Sequence, residues 1–152
     1  MKRQKGITIV EFTIVASVLL VILFGCIELG RAAYSLAALN EGTRRAARLA
    51  AVCPINDPKI AAAVNFMGIN GFSTASNVAV NYLDTNGASL GSSPSLNSIY
   101  YVQVQIQSFS VPLAIPLMNV SIPSPSFTAT LPAESLGISL DPVTKLGVST
   151  AC

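Results

Sequence analysis

The sequence predicts an α+β chain in which one long amino-terminal helix crosses a membrane with its first half and carries a small antiparallel β-sheet on its second half. Three observations predict it. Residues 7–27 form an apolar run of 21 residues broken only by Glu11, about the length an α-helix needs to cross the hydrocarbon core of a bilayer. Residues 29–52 are rich in Ala, Leu and Arg, good helix formers, with Gly30 and Gly42 as weak points. After Pro54 the composition changes to Ser, Asn, Thr, Gly and Pro with short alternating apolar stretches, the pattern of strands and turns.

The length of 152 residues allows the membrane segment plus one domain of about 100 residues. Lys2, Arg3 and Lys5 stand in front of the apolar run, whereas Arg31, Arg44, Arg45 and Arg48 follow it. The positive-inside rule places the amino terminus in the cytoplasm and the remainder outside it. Because a residue before proline is pushed out of the helical region, the helix should end near Cys53. It is then roughly 70 Å long at a rise of about 1.5 Å per residue. The expected division is 1–6, a short basic segment; 7–53, the helix, membrane-spanning over about 9–29 and exposed beyond; and 54–152, an α+β head.

On the exposed half, Glu28 and Arg31 are an i,i+3 pair, and Glu41 faces Arg44 and Arg45 at i+3 and i+4, spacings that support a helix surface. Leu36, Leu39, Ala46, Leu49 and Ala50 make a thin apolar stripe for the head to pack on. In the head, Asp57 and Pro58 start a short helix over 58–67 with Gly68 after it. Residues 77–83 alternate as a strand, Asp84-Thr85-Asn86-Gly87 supplies turn chemistry, and 88–90 return as a hairpin arm. Residues 91–98 are a loop. The longest expected strand covers 100–111, with Val102, Val104 and Ile106 on one face and Tyr101, Gln103, Gln105 and Gln107 on the other. Pro112, Pro116, Pro123 and Pro125 interrupt the apolar stretch 113–122 and prevent a second membrane helix. Residues 127–131 form a last strand, and the tail is irregular.

The chain has no histidine, which removes histidine-based acid/base catalysis, Ser-His and Cys-His nucleophiles and most zinc sites. Asp84, Asp141 and Ser149 form no catalytic grouping. Cys26 lies in the apolar run, with no Cys-x-x-Cys spacing among Cys26, Cys53 and Cys152, so neither metal nor cofactor is expected. A disulfide between Cys53 and Cys152 is the natural reading outside the cytoplasm; the alternative is two unpaired small hydrophobes. Without the three cations of residues 1–6, six basic and seven acidic side chains remain, no footprint for nucleic acid. The chain is therefore expected not to be an enzyme. Asn119-Val120-Ser121 has the form of a glycosylation acceptor, and the glutamine row reads as a solvated sheet face, with a subunit contact as the sharper alternative.

Glu11 is the anomaly. A carboxylate within a membrane segment costs about 2.5–3.5 kcal/mol at the helix centre on insertion scales, less near an end, and marks a functional position unless it is merely interfacial. Lys5-Gly6-Ile7-Thr8-Ile9-Val10-Glu11-Phe12 resembles the prepilin processing site, a glycine ending a short basic leader and then a Glu as the fifth mature residue. The resemblance implies that a prepilin peptidase cuts between Gly6 and Ile7, and that Glu11 pairs with the freed amine of Ile7, usually of a neighbouring subunit. It extends through Leu23-Phe24-Gly25-Cys26-Ile27-Glu28-Leu29-Gly30-Arg31 and Glu41-Gly42-Thr43-Arg44-Arg45-Ala46-Ala47-Arg48. Over about residues 5–52 the chain is similar to the TadE-like minor pseudopilins of tight-adherence (Flp, type IVc) pilus systems. Farther on, Phe127-Thr128-Ala129-Thr130-Leu131-Pro132-Ala133-Glu134 is similar to the family's closing strand, but Pro132-Ala133 stands where many members carry a basic residue, so no role is transferred to Glu134.

What the resemblance implies is a minor pseudopilin in the inner membrane, its amino terminus cytoplasmic and its head periplasmic, that initiates or caps a pilus for surface adherence. Its partners are then prepilin peptidase, other pilin and pseudopilin subunits, and the inner-membrane assembly platform. The major pilin of such systems resembles a much shorter chain, so a head of this size suits a minor component. Two alternatives stay open. Leu23-Phe24-Gly25-Cys26 resembles a lipoprotein signal site, which would leave Cys26 acylated and no membrane helix. The helix could also merely tether an extracytoplasmic binding module.

Overall fold

The computed structural model describes residues 5–115, 119–142, 144 and 146–152, with side chains from Ile7 onward. Residues 1–4 of the basic segment and Pro116 lie outside the described residues. Helix α1 runs unbroken over Lys5–Val52 and the chain leaves it where Pro54 requires. The chain is thus α+β, a long amino-terminal apolar helix followed by antiparallel sheets. Among the described residues the apolar part of α1 is largely uncovered, and it is long and apolar enough to cross a membrane, which suggests a single-pass membrane protein.

The second half of α1 is the spine of the head. Ala32, Leu39, Ala46, Ala47 and Ala50 are buried in one cluster with Ile60, Val64, Tyr82, Val102, Val104, Ile106 and Val111. The stripe expected from the sequence is there, with Leu36 and Leu49 at its edges. Small side chains dominate it, so the sheet and the short helices approach the α1 backbone closely. Gly42 marks the closest approach. A Cβ at that position would fall on the Val64 carbonyl oxygen and lie 2.9 Å from the carbonyl carbon. The expected weak point of the helix is therefore a packing contact, whereas Gly30 faces open space.

After α1, Asp57 caps helix α2 (Pro58–Ala62) by accepting a hydrogen bond from the Lys59 amide at 2.8 Å. The helix expected over 58–67 is shorter, because the chain tightens into a 3-10 turn over Ala63–Asn65, the tight turn that lays Val64 onto Gly42. A single-turn helix α3 (Thr74–Asn77) leads into β1 (Val78–Leu83). The hairpin arm expected at 88–90 reduces to one bridge, Leu83 to Ser89. Asp84 Oδ1 accepts from the Asn86 and Ala88 amides at 2.8 Å each, which closes the turn, and the glycine and serines that follow carry no apolar face to extend a strand.

Strand β2 (Tyr101–Ile106) is the centre of a three-stranded sheet, antiparallel to β1 on one side and to β5 (Thr128–Pro132) on the other. Val80 and Ala129 flank Val104 in register. Val102, Val104 and Ile106 face the core. On the opposite face the Asn81 amide donates to Gln103 Oε1 at 3.5 Å and the Gln103 amide to Thr130 Oγ1 at 3.2 Å, a polar ladder across the sheet.

The single strand expected over 100–111 is two. Beyond Ile106 the backbone turns at Ser108, whose φ is 48°, and β3 (Ser110–Leu113) pairs instead with β4 (Val120–Pro123) in a separate hairpin. Asn77 causes the break. Its buried amide donates to the Gln107 and Ser108 carbonyls at 3.2 and 3.1 Å, while its Oδ1 accepts from the Ser73 amide at 3.0 Å.

The tail is ordered rather than irregular. Amides of Glu134 and Gly137 donate to the last α1 carbonyls, those of Ala51 and Val52, at 2.9 and 2.6 Å. These carbonyls have no partner within the helix. Leu136 and Gly137 then take left-handed backbone angles, φ 46° and 78°, and aim the chain into a hairpin of β6 (Ile138–Leu140) and β7 (Gly147–Ser149). Beyond it Cys152 forms a disulfide with buried Cys53, Cα to Cα 5.6 Å, linking the end of the chain to the end of the helix.

Candidate functional site

The chemistry-bearing side chains singled out in the sequence are strung along α1. Gly6 and Ile7 lie in its first turns and Ile7 is exposed. Glu11 sits one turn farther on, at i+4 from Ile7 and so on the same face. No side chain among the described residues pairs with it, and its neighbours Ile7, Ile9, Val10, Phe12, Ile14 and Val15 are all exposed. The segment thus presents one carboxylate on an uncovered apolar cylinder. Two of its hydroxyls have partners within the helix: Thr13 donates to the Ile9 carbonyl at 2.8 Å and Ser17 to that of Thr13 at 2.7 Å, the arrangement that suits a lipid surrounding. Cys26 is free and exposed on this stretch.

At the end of the apolar run the structure brings residues together that the sequence does not connect. Glu28 and Arg31 form the expected ion pair, 2.9 Å from Nη2 to Oε2. The pair is not a solvated helix decoration. Glu28 is buried, and Oε2 also accepts from the Ala114 amide at 2.9 Å, while Arg31 Nη2 donates to the Pro112 carbonyl at 2.6 Å. Carboxylate and guanidinium therefore hold the β3 end of the β3–β4 hairpin against α1.

About three turns beyond, Glu41 and Arg45 pair at 3.1 Å with both side chains about half exposed, and the Arg45 guanidinium lies 4.1 Å from the centroid of the Phe66 ring, a cation–π contact. Of the two partners expected for Glu41, Arg45 is the one that engages. Arg44 and Arg48 point outward. The residues that sequence reasoning missed are Ala114, whose role is a backbone amide and leaves no residue-type signal, and Gly42, whose signal was a glycine in the middle of a helix that otherwise disfavours one.

Residues 6–48 match the family model described as TadE-like protein. No curated protein and no solved structure matches the chain. The matched residues take in Glu11, the Glu28–Arg31 clamp, Gly42 and the Glu41–Arg45 pair, so over this segment, which is less than a third of the chain, the sequence is similar to TadE-like proteins, consistent with a component of the Tad (Flp) pilus system.

Proposed function

We propose that this chain is a minor pseudopilin of the tight-adherence pilus, a non-catalytic subunit that is cut after Gly6 by a prepilin peptidase and packs by its helix with other pilin-like subunits at the inner-membrane assembly platform. Its amino terminus is cytoplasmic and its head periplasmic, and it initiates or caps a fibre that serves surface adherence. Glu11 is the observation that carries this reading. A simple anchor has no use for a carboxylate in an uncovered apolar helix, where it raises the cost of insertion. Cleavage at Gly6 creates an ammonium at Ile7, and an ammonium and a carboxylate that meet in lipid neutralise one another. The one-turn spacing lets the two groups face the same neighbour, and the TadE-like match covers both. The rigid continuation of α1 into the core of the head supports transmission of helix packing to the head.

The test is a pair of variants in a cell that assembles the pilus. Gly6→Ala is expected to leave residues 1–6 attached. Glu11→Ala is expected to be processed normally and then to be lost from crosslinked complexes with other pilin-like subunits. Undiminished crosslinking of Glu11→Ala would favour a tether for a binding module instead.

A further inference from the structure

The β3–β4 hairpin carries an apolar end on the membrane side of the head. Ile115 packs along α1 opposite Leu20, Val21, Leu23, Phe24 and Ile27, and between them lies an open groove of about 610 Å³. Leu113 joins Ile115 against Val21, Phe24 and Gly25. From Leu113 to Met118 the sequence is Leu-Ala-Ile-Pro-Leu-Met, without a charge or hydroxyl.

The level of this contact along α1 decides its surroundings. Residues 7–27 span about 31 Å at about 1.5 Å per residue, matching a hydrocarbon core of about 30 Å. Glu28 therefore stands at the outer boundary. The Ala114 amide is fixed to Glu28, and Ile115 continues toward Val21, which lies about 10 Å deeper along the helix. We infer that the β3–β4 hairpin is a second, shallow membrane contact: Leu113 and Ile115 enter the outer half of the bilayer beside α1, and the groove under Ile115 holds a lipid acyl chain. The inference rests on α1 spanning the membrane. Non-helical backbone is tolerated near the boundary only when its polar groups are satisfied, and partners are in place along Pro112–Ala114. The Pro112 carbonyl takes Arg31, the Ala114 amide takes Glu28, and Leu113 is in register with Val120. The Glu28–Arg31 pair thus seats Leu113 and Ile115 at the depth of interfacial apolar side chains, about 5–10 Å into the headgroup and acyl boundary. Two points of contact, one a helix and one a hairpin fixed to it, set the height and rotation of the head on the membrane.

The chain contains no tryptophan, so single substitutions report without background. Ile115→Trp, Val18→Trp and Leu140→Trp are made in the full-length chain and placed, one copy per disc, in phosphatidylcholine nanodiscs with acyl chains brominated at shallow or deep positions. Ile115→Trp is expected to emit blue-shifted, to be quenched more by shallow than by deep bromines, and to be spared by aqueous iodide. Val18→Trp is expected to prefer deep bromines and Leu140→Trp to be quenched by iodide alone. Iodide quenching of Ile115→Trp with Val18→Trp still lipid-quenched would overturn the hairpin contact and leave the span standing. Shielding of Ile115→Trp from both quenchers would mean that protein fills the groove, which also overturns it. Failure of lipid quenching at Val18→Trp would remove the span and the inference together. Oxygen and nickel accessibility of a nitroxide at Ile115→Cys in a Cys26→Ser background gives the same reading should the indole disturb the hairpin.

Discussion

The Glu28 carboxylate and the Ala114 amide, separated by 86 positions in the chain, meet at 2.9 Å, and this contact ties the hairpin inserted between β2 and β5 to the helix at the level where its apolar run ends. A hydrogen bond to an ionised group is stronger than a neutral one and leaves a larger penalty when one partner is removed. Glu28→Ala is therefore expected to free the hairpin, seen as faster protease cleavage within residues 113–122 and a lower melting temperature of the head. Arg31→Ala should have a smaller effect of the same kind, since the Ala114 bond remains. Glu41→Ala should leave the hairpin protected and cost no more than about 0.3–0.5 kcal/mol, the range of an exposed i,i+4 pair. Equal effects of Glu28→Ala and Glu41→Ala would contradict the clamp.

Gly42 is required by close approach and not by flexibility. A Cβ there meets the backbone of Val64, which cannot rotate away as a side chain could. Gly42→Ala is expected to destabilise the head by about 1–3 kcal/mol, as overpacking does, despite a gain in helix propensity. Gly30→Ala, which meets open space, should be neutral or stabilising by up to about 1 kcal/mol. Thermal melts of the two variants side by side check the contrast.

The Cys53–Cys152 bridge closes a loop with a sequence separation of 99. On the chain-entropy account, a loop of about 100 residues is worth about 4–5 kcal/mol. Cys152→Ser is expected to lower stability by several kcal/mol and to release β7 first, because the bridge joins the tail to the buried end of α1. Denaturant unfolding with and without reductant measures the loss, which should vanish in the variant.

Tyr82 gives the head an alkaline limit. Burial pushes its phenol above the ordinary value near 10; the Asn56 amide, which donates to it at 2.9 Å, opposes the shift, and the field of Asp57 adds to it. The folded state thus holds the proton more tightly than the unfolded chain does. The corresponding stability is fully present below about pH 10, the unfolded value, and is lost as pH rises toward the folded one. Tyr82→Phe should flatten that decline and cost about 1 kcal/mol at neutral pH for the lost hydrogen bond. Stability measured from pH 7 to pH 11 on both proteins checks the sign.

Local signals carried much of this fold. The apolar run, the Ala-rich continuation and Pro54 set the ends of α1, and alternation at Val102, Val104 and Ile106 set the buried face of β2. What failed to show was decided at a distance. A serine in the left-handed region and a buried asparagine from another element break the strand at Gln107, and neither residue type announces that role. β6 and β7 are three-residue strands whose placement depends on residues 134–137 capping the end of α1. Glu28 had a sufficient local partner in Arg31, so nothing in its spacing pointed to Ala114. Glu11 behaved the other way: its oddness is local and legible, while the partner proposed for it, the amine made by cleavage, has no counterpart among the described side chains.

The central claim concerns that amine, and Edman degradation or amino-terminal mass spectrometry of the protein isolated from its own membrane tests it most directly. A mature chain beginning at Ile7 is the expected result. A chain beginning at Met1, or at an acylated Cys26, would contradict it.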